Sequence, residues 1–146
     1  MATTTTTTSN HAAGEAAIHT LLDDFAKAFT KGDGKGAAAC WEVPALIVSD
    51  DGTKAVASLD EVGAFFGGAA KQYTDKGTMS TRADVQSITW ITDKVATVQV
   101  RWPYLDKDGK AQGTSESSTY VMRFVDDDTP KINTTMMAGA SDAKAS

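Results

Sequence analysis

Apolar and polar positions fall into a helical pattern in the first half of the chain and an alternating one in the second. Ile18, Leu22, Phe25 and Phe29 recur at i, i+4, i+7 and i+11, the stripe of an amphipathic helix that opens near Gly14. Gly32 and Gly34 stop it. A short second helix is predicted over about Lys35 to Trp41, and Pro44 ends it by restricting the residue before it. Ala45 to Ser49 reads as a strand, Asp50-Asp51-Gly52 as a turn and Lys54 to Ala57 as a second short strand. Ser58, followed three residues later by Glu61, has the form of a capping box for a helix that carries Leu59, Val62, Phe65 and Phe66. Gly67-Gly68 is expected to weaken that helix midway, with Ala69 to Tyr73 continuing it.

From Thr78 to Met137 the chain is strand-like: Thr78 to Thr92, Val95 to Tyr104, Gly113 to Asp126 and Lys131 to Met137. Short joints between them predict a meander. The clearest unit is Lys94 to Phe124, where Val95, Thr97, Gln99 and Arg101 alternate with Ala96, Val98, Val100 and Trp102. After the Asp106 to Gly109 turn, Tyr120, Met122 and Phe124 are the apolar teeth of the return strand. Such a hairpin has one covered face, and the first helix is the expected cover.

Length and charge narrow the possibilities. At 146 residues and 41% hydrophobic content the chain suits one domain, expected over residues 14–138. The threonine-rich residues 1–13 read as a disordered or loosely docked tail, because such a segment buries too little apolar surface to offset its ordering entropy. Residues 139–146 read as a C-terminal tail. A net charge of -5 and a pI near 4.9, without a Lys/Arg cluster, argue against nucleic acid or an anionic membrane as partners. Cys40 is the one cysteine, so no intrachain disulfide forms and a reducing, cytoplasmic setting is expected. The N-terminus has no signal-peptide pattern, and no apolar run approaches the roughly 18 residues of a spanning helix.

The helices precede most of the strands, which is an α+β order. Three local patterns give it a likeness. Phe25 to Trp41 holds a helix, Gly32-Asp33, a second helix and a closing aromatic; Asp50-Asp51-Gly52 precedes a helix opened by Ser58 and Glu61; Tyr120-Val121-Met122-Arg123-Phe124 runs into an acidic turn. In that order they resemble the nuclear transport factor 2-like, or cystatin-like, superfamily, whose members include SnoaL-like polyketide cyclases and ketosteroid isomerases. The resemblance covers about Gly14 to Met137. It implies N-terminal helices packed on a strongly curved, mostly antiparallel sheet, a cone-shaped fold with a pocket between the first helix and the concave face. It also implies a homodimer through the convex face, where Gln99, Arg101, Ser117, Thr119, Val121 and Arg123 point, with the arginines meeting acidic groups of the second copy.

The isomerases of this superfamily need a carboxylate to move a proton and two donors to hold an enolate. Their donor tyrosine falls on Phe25, their base on Ser49 beside Asp50, and their second donor on Tyr120. With one role of three kept, steroid-type isomerisation is not expected. His19, Asp50 and Tyr120 remain the candidate proton-transfer groups. Phe25, Phe29, Trp41, Trp102, Tyr104 and Tyr120 are the candidate lining of a pocket for a small, mostly apolar ligand. No cofactor is implied. The aspartate pairs read as turns or a wet helix face, Asp106 to Gly109 fails the calcium-loop template, and one Cys with two His makes no zinc site. The glycines of Gly32 to Gly36 follow a helix and lack the Gly-Lys-Ser/Thr ending of a phosphate loop. Cys40, beside Ala37 to Ala39 and Trp41, reads as a small buried hydrophobe. Three functions stay open: a binding protein, an acid/base enzyme of SnoaL-like type, and a module for association alone.

Overall fold

The computed structural model describes residues 2–75, 80–126 and 128–142. In chain order these form α1 (Ala2–Lys31), α2 (Gly34–Ala38), β1 (Trp41–Ser49), β2 (Gly52–Val56), α3 (Leu59–Asp75), β3 (Asp84–Trp90), β4 (Val95–Leu105), β5 (Ala111–Asp126) and β6 (Thr129–Asp142). The strands make one sheet in the order β2-β1-β6-β5-β4-β3. Strands β3 to β6 are the expected antiparallel meander, and β6 closes onto β1 in parallel. The predicted α+β architecture is the observed one.

The alternation in the central hairpin decides which face is covered. Ala96, Val98 and Val100 on β4 are buried together with Tyr120, Met122 and Phe124 on β5, and register sets Ala96 opposite Met122 and Val98 opposite Tyr120. Helix α1 supplies the cover, with Ile18, Leu22 and Phe25 buried. Its early turns dock on β3: the His11 ring stacks on Trp90 at 4.1 Å, and the Trp90 indole N–H donates to Glu15 Oε2 at 3.1 Å.

The Gly32-Asp33 pair has a local reason for each residue. Gly32 takes φ 69°, the left-handed turn that ends α1, which a Cβ disfavours. Asp33 caps α2, its Oδ1 accepting from Gly36 N at 3.0 Å. Helix α3 opens with the predicted box: Ser58 Oγ accepts from Glu61 N, and Glu61 Oε2 reaches back to Ala57 N, both at 3.2 Å.

Three expectations are corrected. The first helix begins at Ala2 instead of near Gly14, and His11 and Glu15 in its early turns meet Trp90. Helix α2 ends at Ala38, and Pro44 does not stop a helix. It sits exposed inside β1, between Trp41 and Leu46, where the pairing with β6 shifts and a missing N–H is tolerated. Helix α3 continues past Gly67-Gly68 to Asp75, as expected. Finally, β6 continues to Asp142, because β5 starts at Ala111 and its first half takes Thr114 to Asp142 and Glu116 to Ala140 as ladder partners. The predicted strand from Thr78 begins outside the described residues; inside them, Ser80 bridges Leu105 and the regular strand starts at Asp84. Residues 143–146 also lie outside.

Candidate functional site

The concave face changes character along its length. Its deep half is apolar and closed, made by Ala96, Val98, Val100, Met122 and Phe124. Above it the rings of Phe25, Phe66, Trp41, Trp102 and Tyr120 pack on one another. Phe25 is the hub, its centroid 5.1 Å from Phe66, 5.8 Å from Trp102, and 6.4 Å from both Trp41 and Tyr120, in edge-to-face arrangements. Toward the outer end of β4 and β5 the same face opens, and Phe29, Trp102, Tyr104 and Glu116 are half-buried.

Polar atoms enter the face at that open end. Register places Glu116 directly across from Trp102. The Trp102 indole N–H donates to the Tyr120 phenol oxygen at 2.9 Å, and the Tyr104 hydroxyl donates to Glu116 Oε2 at 2.8 Å. Burial pushes the Tyr120 phenol far up from its ordinary value, against the opposing hydrogen bond from Trp102, so it stays a neutral hydroxyl. Thr135, across from Tyr120 on β6, is fully buried, and neither its hydroxyl nor the Trp41 indole N–H finds a hydrogen-bond partner among the described residues.

Burial also raises the Glu116 carboxyl above the ordinary carboxylate range. A carboxyl with a raised folded-state pKa binds its proton more tightly in the folded chain. Stability from this group is therefore complete below the unfolded-state pKa and is lost as pH rises through the folded one. Glu116→Gln is expected to flatten that fall. Urea titrations of both chains across mildly acidic to neutral pH check it; a wild-type stability that runs parallel to the variant throughout contradicts it.

The sequence candidates divide. Phe25, Trp41 and Tyr120 are brought together, but as core, at 3%, 2% and 4% exposure. Phe29, Trp102 and Tyr104 stand at the open end. His19 lies on the exposed side of α1, next to buried Ile18, and Asp50 lies exposed in the turn between β1 and β2. Neither has a hydrogen bond to Tyr120 among the described residues, so the proton-transfer trio is not assembled. Glu116 is the residue that sequence reading missed. It shares the inward frame of Tyr120, Met122 and Phe124, and a lone acid in that frame was the available signal.

Residues 14–139 match the profile of the family described as NTF2-like protein (DUF6841). The chain belongs to this NTF2-like family. Among solved structures, this NTF2-like domain is similar to a domain of unknown function with a cystatin-like fold from Nostoc punctiforme: TM-score 0.68, 21% identity, 86% of this chain and 76% of that one. It also superimposes on a putative scytalone dehydratase from Novosphingobium aromaticivorans, with TM-score 0.66, 11% identity, and 92% and 91% of the two chains. A ketosteroid isomerase-like protein from Erwinia carotovora gives TM-score 0.61 and 14% identity over 87% and 93%. At these identities the likeness is one of fold. No curated protein matches the sequence.

Elsewhere on the NTF2-like domain, a shallow cleft of about 350 Å³ runs between α1 and the segment before β3, lined by Asp23, Lys27, Thr30, Lys31 and Ser80 to Ala83. It carries the charged side chains Asp23, Lys27, Lys31 and Arg82, and shares no lining residue with the aromatic face. Cys40 is buried, its Sγ 3.8 Å from the carbonyl oxygens of Leu21 and Gly36, and burial pushes its thiol up to about 11. That suits a packed side chain, not a nucleophile. No helix among the described residues is long and apolar enough to cross a membrane.

The convex face holds two kinds of surface. Arg123 forms a two-pronged pair with Glu42, Nη2 to Oε1 at 2.6 Å and Nε to Oε2 at 3.0 Å, and Asn133 adds a third hydrogen bond at 3.0 Å. Arg123 thus already has an acid within its own chain. Beside this pair, Leu46 and Met136 are 41% and 43% exposed, and Val48, Thr119, Val121 and Thr134 share their side of the sheet.

Proposed function

We propose that this NTF2-like domain acts as a homodimer that binds a small, mostly apolar molecule at the open end of its concave face. The observation that carries the reading is the pair of hydrogen-bonded polar groups, Trp102 with Tyr120 and Tyr104 with Glu116, set into an otherwise apolar aromatic face. A pocket that orients an apolar ligand has this composition: rings for contact area and a few fixed polar atoms for direction. The dimer is formed through the convex strip of Leu46, Val48, Val121 and Met136, apolar surface that one copy leaves in water. The lone cysteine, without a disulfide partner, agrees with a reducing, cytoplasmic setting.

Ligand-observed NMR with a library of small cyclic ketones, alcohols and amines tests the binding role. Hits are expected to lose roughly tenfold or more in affinity with Trp102→Ala, about 1.4 kcal/mol; hits indifferent to that change sink it. In sedimentation equilibrium at micromolar concentration the wild type is expected as a dimer and the double variant Leu46→Glu, Met136→Glu as a monomer. A monomeric wild type removes the dimer.

A second reading, an acid/base enzyme, is favoured by Glu116. Its carboxyl stands half-buried at the open end of the aromatic face, whereas Asp50 and His19 lie exposed elsewhere, and burial raises its pKa above the ordinary carboxylate range, the direction that suits a general acid. Turnover of a hit that survives Glu116→Gln unchanged rejects this reading and leaves the binding role intact.

A further inference from the structure

We propose that the ligand of this open end carries a protonated amine that pairs with the Glu116 carboxylate, its apolar part lying against Trp102 and Tyr104. The inference rests on the binding role proposed above and names the chemical class of what binds.

Glu116 has no counter-ion among the described residues. Among the described residues no Lys, Arg or His forms an ion pair with it, and its one hydrogen bond comes from Tyr104 to Oε2, leaving Oε1 without a partner. Glu42 makes the contrast within the same chain: it is on the polar side of the sheet and is met by Arg123 and Asn133 together. A half-buried carboxylate on an aromatic face costs free energy unless a cation or donor meets it. On Glu116 no described residue fills that role.

The donors at this end are already engaged. Trp102 Nε1–H is held by Tyr120, and the Tyr104 hydroxyl by Glu116. A ligand that brings only a carbonyl oxygen would have to break one of these bonds. The vacant capacity is the carboxylate's acceptor oxygen, which calls for a donor, and an ammonium is the donor that also neutralises the charge. The unpartnered Trp41 N–H does not alter this, since Trp41 is 2% exposed and sits behind Phe25 and Phe66.

The surroundings fit the same class. Trp102 lies across the strand pair from Glu116 and Tyr104 is bonded to it, so a cation at Oε1 has two electron-rich rings nearby, the setting in which ammonium groups gain cation–π attraction. The net charge of -5 adds a long-range field that draws cations and repels anionic ligands.

The test compares two probes of one shape on the full chain: 2-phenylethylamine, protonated at neutral pH, and uncharged 2-phenylethanol. Binding is followed by the Trp102 indole N–H shift in NMR and by calorimetry at low salt. The amine is expected to bind at least tenfold more tightly than the alcohol, with Glu116→Gln removing that preference so that the two probes bind alike. Equal affinities on the wild type, or amine binding that Glu116→Gln does not weaken, overturn the amine and leave the binding role standing. Failure of both probes to shift the Trp102 indole removes the binding role and the inference with it. The ratio of the two wild-type affinities decides the question even where Glu116→Gln fails to fold.

Discussion

Phe25→Ala is expected to lower the stability of this domain by about 3–5 kcal/mol, with a fall in Tm on the order of 10 °C. The size follows from position. Phe25 is 3% exposed, and its ring edge meets Phe66, Trp41, Trp102 and Tyr120 at centroid distances of 5.1 to 6.4 Å. Removing it takes away a large transfer term and leaves a hole between α1, α3 and the sheet whose walls are rigid rings, so collapse recovers little. Phe29→Ala, one turn further along α1 and half-buried, is the comparison and is expected to cost clearly less. Urea unfolding followed by far-ultraviolet circular dichroism measures both. A Phe25→Ala loss no larger than that of Phe29→Ala would show that the ring cluster does not depend on its hub.

The fold was legible wherever one periodicity ran uninterrupted. The Ile18, Leu22, Phe25 stripe specified which side of α1 is buried, and the alternation from Val95 to Phe124 specified the inward face of the central hairpin. Legibility failed where tertiary pairing overrides local preference. Pro44 reads as a stop in a linear pattern, yet a strand tolerates it where its ladder lapses. The early turns of α1 meet Trp90, 75 residues along the chain from Glu15, a contact that no local window contains.

The site was legible in part, for a related reason. Aromatic side chains at Phe25, Trp102 and Tyr120 announced the concave face, because apolar teeth follow the strand period. The polar members are not periodic in kind. His19 is adjacent in sequence to Ile18 but is turned about a quarter of the helix away from it, and Asp50 belongs to a turn. Glu116 keeps the strand frame while breaking its hydrophobic rule, and a rule broken in an inward frame is where a functional group is expected.

Gly34→Ala is expected to be the second most damaging single change, at roughly 1–3 kcal/mol or somewhat beyond. Helix α2 crosses α3 backbone to backbone. A Cβ built on Gly34 would lie 2.5 Å from the carbonyl oxygen of Gly63, 3.0 Å from its carbonyl carbon and 3.3 Å from its Cα. These atoms belong to the main chain of a helix, so no side-chain rotation relieves the overlap and the two helices must move apart. Their separation would carry Phe66 away from Phe25 and loosen the aromatic face through which the proposed ligand is held. The reciprocal change, Gly63→Ala, meets the Gly34 carbonyl oxygen at 3.0 Å, a milder overlap, and gains roughly 0.5–1 kcal/mol of helix propensity within α3. It should therefore be the less harmful of the pair. Exposed Lys35→Ala, next in the chain, is the control and should leave stability within about 0.5 kcal/mol of wild type. Chemical denaturation of the three variants gives the order. Gly34→Ala falling level with Lys35→Ala would mean that the two helices separate at little cost and that the close crossing is not what fixes Phe66.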